Sequence, residues 1–375
     1  MLRLTRLRLS RFRNHHALDL RFAARAVVFA GPNGAGKTNL LEAISLLGPG
    51  RGLRGARVAE LAEGGAGPWA VSGRFEDAQG PFEIGTGAAE EGGAERRAFF
   101  LDGERARSQS EIAERVATVW ITPQMDRLFQ ESAGARRRFL DRLVLALEPH
   151  HAREVAAYET AMAHRNRLLG GGRRADPAWL AGLEDAMARH GVAAAASRRA
   201  LVARLNAAMA GGVAGAFPAA HLELRCPAGA LLAEMPALAA EEALRAAWAE
   251  SRAKDAAAGA TLSGPHRAEL LFTHVEKAQP AALCSTGEQK ALLVSTVLAH
   301  AALIGRARGF APILLLDELP AHLDAGRRAA LFAALAALPG QSFLTGTEAH
   351  PFQAIGAEAE FFALEPGGIR PAPLG

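Results

Sequence analysis

The sequence predicts an α/β protein: a mixed or parallel sheet built around one glycine-rich loop, with an all-α second lobe inserted into the chain. Three observations carry this. The uninterrupted apolar run Val27-Val28-Phe29-Ala30 leads through residues 31–38 into apolar residues at helical spacing, which reads as buried strand, tight loop and helix. The last hundred residues alternate helix and strand. Between these parts the chain turns to alanine, arginine and leucine at helical period.

In chain order, Leu2 and Leu4, then Leu7 and Leu9, alternate with polar residues as strands do, and Leu18, Leu20 and Phe22 repeat the period of two. Val27–Ala30 lacks polar interruption and is expected at the sheet centre. Leu40, Leu41, Ile44 and Leu47 give the helix after the loop. From about residue 130, Phe139, Leu140, Leu143 and Leu147, then Val155, Tyr158 and Met162, mark helices, broken at Gly170-Gly171-Gly172. Asp176 and Pro177 suit an N-cap and first turn, and the proline-free stretch to Met209 would make a helix about 50 Å long. Two helices around a glycine turn suggest an antiparallel hairpin; an ordinary all-α subdomain is the alternative. Helix 287–305, strand 313–317, helix 326–337 and strands 342–346 and 359–364 follow. The expected division is 1–123 plus 262–375 for the α/β lobe and 124–261 for the helical lobe.

Composition narrows the class. With 375 residues, half of them apolar and 22% charged, the chain is globular and long enough for two domains. The run Ala291 to Gly305 is too short and too polar to cross a bilayer and reads as a core helix, and the N-terminus has no signal-peptide h-region, so no membrane partner and a cytoplasmic location are expected. Cys226 and Cys284, without a CxxC, exclude a thiol zinc site or disulfide scaffold. No HExxH occurs, and His15, His16, His150 and His151 are expected in loops. Net charge is only +4, but residues 3, 6, 8, 11, 13, 21 and 25 are arginine, and Arg136, Arg137 and Arg138 form a second knot. Such clusters suit phosphate, or simply a solvated face.

Gly31-Pro32-Asn33-Gly34-Ala35-Gly36-Lys37-Thr38 is GxxxxGK[ST], placed between strand and helix as a phosphate loop requires. Its backbone N–H groups would surround the β- and γ-phosphates of ATP, Lys37 would add a point charge and serve catalysis, and Thr38 would ligate Mg²⁺. Ile313-Leu314-Leu315-Leu316 then delivers Asp317 and Glu318 at the end of a buried strand. Adjacent residues point to opposite sides, so we assign Asp317 to Mg²⁺ and Glu318 to polarising the attacking water. Ser285-Thr286-Gly287-Glu288 opens helix 287–305 as a capping box. It also resembles the ABC ATPase signature, in which Ser285 and the Gly287 backbone would bind phosphate. Phosphate loop, signature and Asp-Glu stand in the ABC order, and the fold expected is that of an ABC-type ATPase head. Leu323-Asp324 resembles the D-loop and Thr122-Pro123-Gln124 the Q-loop. This gives Asp324 and Gln124 nucleotide contacts and Gln124 a share in the Mg²⁺ site.

The resemblance extends further. Leu7-Arg8-Leu9 with Phe12-Arg13-Asn14, GPNGAGKTNLLEAI, residues 122–142, Arg165-Asn166, residues 259–267, STGEQKALL and LLLDELPAHLD together resemble the bacterial RecF family, in its order and over nearly its whole length. The segments Gly264-Pro265-His266-Arg267 and Arg136 to Asp141 are the most specific, since ABC ATPases in general lack them. The resemblance implies an ATPase that dimerises with ATP, binds DNA at single-strand gaps and works with RecR and RecO in loading RecA. Two departures stand out: Gln124 replaces what is more often an acid, and residues 343–348 hold no switch histidine. An ABC transporter subunit shares three motifs, but 280 residues between Lys37 and Asp317 argue against it. Long-armed chromosome-maintenance proteins need many heptads that this chain lacks. A small-molecule kinase would not need the STGEQ segment.

Overall fold

The computed structural model describes all residues except 66, 92–93, 172–175, 321–322, 357–358, 366–367 and 373–375. It divides into two compact units. Met1–Asp126, Gly212–Pro218 and Lys290–Gly375 form the first; Arg127–Gly211 and Ala219–Gln289 form the second. Gly172, part of the expected glycine break, lies outside the described residues.

The first unit contains two six-stranded sheets. One is antiparallel, ordered β2-β1-β4-β5-β6-β7, from β1 (Arg3–Phe12), β2 (His15–Arg21), β4 (Ala70–Asp77), β5 (Gly80–Glu91), β6 (Ala94–Leu101) and β7 (Glu104–Arg105). Leu4, Leu7 and Leu9 lie in the single strand β1, with Leu2 just before it, and the strand is irregular between Leu4 and Arg6. The other sheet is ordered β15-β14-β3-β13-β12-β8, from β3 (Ala26–Ala30), β8 (Thr118–Ile121), β12 (Ile313–Leu316), β13 (Ser342–Gly346), β14 (Ala359–Glu365) and β15 (Gly368–Ala372). Its pairs are parallel except for β14 with β15. Val27, Val28 and Phe29 are fully buried, as an unbroken apolar strand between two neighbours must be. Helices α1 (Lys37–Leu46), α2 (Gln109–Arg115) and α9 (Ala325–Ala337) belong to this unit. Helix α8 (Thr286–Arg308) starts in the second unit and continues into the first. It is long and apolar enough to cross a membrane, yet most of it is buried within the protein, as a core helix is.

In the second unit, α3 (Ala133–Leu147), α4 (His151–Gly170), α5 (Pro177–Ala210), α6 (Pro227–Glu234) and α7 (Ala237–Ala258) surround a core that includes Tyr158, Met187, Val192, Leu244 and Trp248. Asp176 caps α5 by accepting the Ala178 N–H at 2.8 Å, with Pro177 in the first turn. Pairing of Glu154 with His190 and of Arg165 with Glu184 shows α4 and α5 antiparallel, as a hairpin requires.

Three expectations change. The helical lobe also holds an antiparallel sheet, β11-β10-β9, of β9 (Ala220–Arg225), β10 (Glu269–His274) and β11 (Gln279–Pro280). That pairing places residues 262–289 with the helices rather than with the α/β lobe. Finally, His15 and His16 open β2, and His151 opens α4, buried against Asp141 at 2.8 Å, so these three are not loop residues.

Candidate functional site

The glycine-rich loop is shaped by close approach. A β-carbon on Gly31 would stand 2.3 Å from the Leu364 carbonyl, and Gly31 N–H donates to Gly346 at 3.2 Å. Gly36 has φ 95°, in the left-handed region, and a β-carbon there would meet the Asn14 amide at 2.5 Å. Helix α1 starts at the next residue, Lys37, which is only 4% exposed. Its ammonium donates to the carbonyls of Gly31 at 2.7 Å and Pro32 at 2.9 Å. Burial holds Lys37 below its ordinary pKa, against the opposing pull of Glu318 and Asp317.

Asp317 follows the last residue of β12, and its N–H donates to Ile121 of the neighbouring β8. Thr38 Oγ1 donates to the Asp317 carboxylate, 3.0 and 3.1 Å from its two oxygens. Thr345 Oγ1, from β13, donates to Asp317 Oδ1 at 2.8 Å and accepts the Glu318 N–H at 2.8 Å. Burial pushes the Asp317 carboxyl up and neighbouring Glu318 adds to this, while the Thr345 and Thr38 hydrogen bonds and Arg54 oppose it. Glu318 itself stands beyond the end of β12 at φ 52°, a left-handed backbone to which strand alternation does not apply. Thr38 and Asp317 thus offer hard oxygen donors side by side, and among the described residues no group of three His, Cys, Asp or Glu could hold a metal. That fits Mg²⁺, which is commonly held by one carboxylate, a hydroxyl, phosphate oxygens and water.

The other sequence-expected residues have local partners or settings of their own. Ser285 and Gly287 belong to the second unit. There the capping box is fully formed: Ser285 N–H donates to Glu288 at 2.9 Å, Glu288 N–H donates to Ser285 Oγ at 3.4 Å, and Lys277 bridges to Glu288. That bridge, with the Ser285 bonds, holds the Glu288 carboxyl at about 2. Asp324 is the N-cap of α9, accepting the Arg327 N–H at 2.8 Å. Gln124 is exposed in a short 3₁₀ turn, Pro123–Arg127, that leaves β8 beside β12; among the described residues it is not one of the groups bonded to Asp317.

Several site residues escaped sequence reasoning. Thr345 lies within residues 343–348, and its signal was a hydroxyl directly after the apolar pair Phe343-Leu344 in a fully buried strand. Glu42, 1% exposed, receives both Arg13, at 2.8 Å, and Arg54, at 2.9 Å. Arg54 also holds Asn39, which donates to Asn14 beside Gly36. This fastens the β1–β2 turn to the loop.

The arginine clusters divide as well. Arg3, Arg6, Arg8 and Arg13 pair with Glu76, Asp19, Glu83 and Glu42, and Arg25 donates to the Leu338 carbonyl. Arg136 is committed to the Leu270 carbonyl at 2.9 Å, to Glu269 and to the Glu131 carbonyl, so it is structural.

Comparison with known proteins agrees with this architecture. Residues 3–354 match the RecF/RecN/SMC N-terminal domain family. The chain is 51% identical over 371 residues to the DNA replication and repair protein RecF of Mesorhizobium japonicum, covering 98% of this chain and 97% of that one. With the same protein of Rhizobium meliloti it shares 48% over 370 residues, covering 98% of each. Among solved structures, the recombination mediator RecF with ATP, of the RecFOR pathway, superposes with a TM-score of 0.84 at 23% identity over 99% of this chain and 98% of that one. An Smc head domain from Pyrococcus furiosus reaches 0.52 at 15% over 100% and 96%, a likeness of fold. The transporter and kinase readings fall away, and the chain belongs to the RecF family of DNA replication and repair proteins.

Proposed function

We propose that this chain is an ATP-dependent DNA-binding protein of recombinational repair in the cytoplasm. In this reading it closes into a homodimer on ATP, hydrolyses ATP slowly, binds duplex DNA and single-strand gaps, and helps load RecA together with RecR and RecO. The observation that carries this is the convergence of Lys37, Thr38, Asp317, Thr345 and Glu318 at the phosphate loop. In this reading Lys37 exchanges its two carbonyl partners for phosphate oxygens, and the backbone N–H groups from Asn33 to Thr38 surround the β- and γ-phosphates. Thr38 and Asp317 hold Mg²⁺, with Gln124 at its edge; the ion, when bound, neutralises charge developing on the phosphates. Glu318, released from strand geometry, orients and polarises the attacking water.

Ser285 and Gly287 of a second copy complete the site by capping the γ-phosphate, with Asp324 at the same junction. ATP binding and dimerisation are then linked, since ATP favours the state in which both sites are complete. Sedimentation with and without ATP tests this, with ATPase assays with and without duplex DNA on the same samples. Wild type is expected to dimerise with ATP and to hydrolyse faster with DNA. Ser285→Arg is expected to bind ATP nearly as wild type and remain monomeric. An unchanged ATP-dependent dimer in that variant would overturn the composite site.

A further inference from the structure

The arginine knot that reads as one patch in sequence splits on the helix, and what remains free points outward. With Arg136 committed, Arg138 is exposed and has no ion-pair or hydrogen-bond partner among the described residues. Arg137 is half-buried, anchored through one nitrogen to the Ala268 carbonyl at 3.1 Å. The two guanidinium groups converge over Gly134. From the position a β-carbon would take there, Arg138 NH1 lies 3.6 Å away and Arg137 NH2 3.7 Å.

A third cation joins them from Arg267, at the end of the segment that marks the family. Arg267 is exposed and likewise unpaired among the described residues. Arg267 stands one residue before Ala268, whose carbonyl anchors Arg137, so the two cations are tied to adjacent residues; burial first, then their charges, hold His266 below its ordinary pKa. The nearby acids do not neutralise the group. Asp141 is taken by Arg198, at 2.7 and 2.9 Å, and by His151 at 2.8 Å, which leaves Glu159 as the remaining carboxylate acting on Arg137.

The segment carrying Arg267 is held at nearly every residue. Arg165 donates to Thr261 at 3.0 Å, Leu262 N–H to Asp255 at 3.0 Å, Trp248 to the Ser263 carbonyl at 2.8 Å and Arg198 to the Pro265 carbonyl at 2.8 Å. His266 bonds Tyr158 at 2.6 Å and the Thr261 carbonyl at 2.9 Å. Such fastening keeps exposed cations in register without help from a ligand. Arginines with free guanidinium nitrogens around an open glycine suit a run of phosphates rather than a peptide.

We propose that Arg137, Arg138 and Arg267 form a contact site on the helical unit for the phosphodiester backbone of duplex DNA. This rests on the DNA-binding reading above and locates part of it. Neutralising a backbone phosphate releases counterions, so each phosphate that a variant leaves un-neutralised should flatten the plot of log affinity against log salt by about 0.9.

The test is fluorescence anisotropy with a labelled duplex over a salt series, with ATP, using the whole chain. Wild type should bind with a steep salt dependence; if it does not bind, the DNA-binding reading itself fails. Arg138→Ala with Arg267→Ala should bind more weakly, with a slope less steep by about 0.9 to 1.8. Gly134→Glu sets an acid between the guanidiniums in the first helical turn, where acids favour the helix, so it should weaken DNA binding while thermal stability holds or rises. Wild-type binding with undiminished affinity and slope in both variants would remove this site and leave the DNA reading intact.

Discussion

Each unit of the molecule buries a basic side chain, and the two are buried in opposite ways. Lys37 donates to carbonyl oxygens of its own loop, and Asp317, one of the two carboxylates whose charge acts on it, is bonded to two threonines. Arg165, fully buried, is saturated: Glu184 at 2.9 Å, Asp255 at 2.8 Å, Thr261 at 3.0 Å and the Trp248 carbonyl at 2.8 Å take its nitrogens. A cation held by neutral acceptors is ready to exchange them for an anion. One held by two carboxylates is part of the frame.

The sharpest way to break this comparison is to remove each cation in turn. Arg165→Met leaves Glu184 and Asp255 buried without their shared partner, and should cost about 3–5 kcal/mol in denaturant unfolding. Lys37→Met should leave unfolding nearly unchanged and abolish ATP binding by calorimetry. Equal stability losses in the two variants would make Lys37 architectural too. A smaller effect is expected from Thr345→Val, which removes a donor to Asp317 and strands the Glu318 N–H. A loss of about 1–3 kcal/mol should appear, together with a higher Mg²⁺ requirement for ATP binding.

Acid gives the smallest separation. Burial raises Asp141 and Asp255, but the hydrogen bonds from His151 and Arg198 to one, and from Arg165 and Ser251 to the other, outweigh it and leave both below their ordinary values. Their stabilisation is present above the ordinary carboxylate range and is lost as pH falls through the lowered values. Asp317 is raised, so its contribution runs the other way, complete below the ordinary range and lost as pH rises through the raised value. Hydrogen exchange without nucleotide should show α7 losing protection before β12 as pH drops below about 4. Simultaneous loss would erase the distinction.

What the sequence revealed follows the same division. Residues 31–38 were legible because every part of a phosphate loop is local, and the strand before it and the helix after it announce themselves by period. The start of α5 was legible from Asp176-Pro177, while its antiparallel pairing with α4 was one of two readings that the glycine break allowed. Thr345 was not, because it reaches Asp317 through pairing of parallel strands separated by a helix. Nor was the fate of Arg136, since successive residues on a helix turn by about 100° and one charge run serves several directions. The strand β9, with alternating Leu222 and Leu224, hid in helical composition, and its pairing with β10 moved the lobe boundary. Ser285 shows the remaining limit: its capping box satisfies helix geometry by itself, so the motif does not tell a helix cap from a phosphate site.

If Glu318 polarises the attacking water as proposed, its left-handed backbone sets selection for robustness against selection for turnover. An L-residue is strained by about 1–2 kcal/mol in that region, a penalty that glycine escapes. A population screened only for heat resistance would therefore drift towards glycine at this position and, under the role proposed for Glu318, would arrive at a sturdier protein that holds its nucleotide and no longer cleaves it.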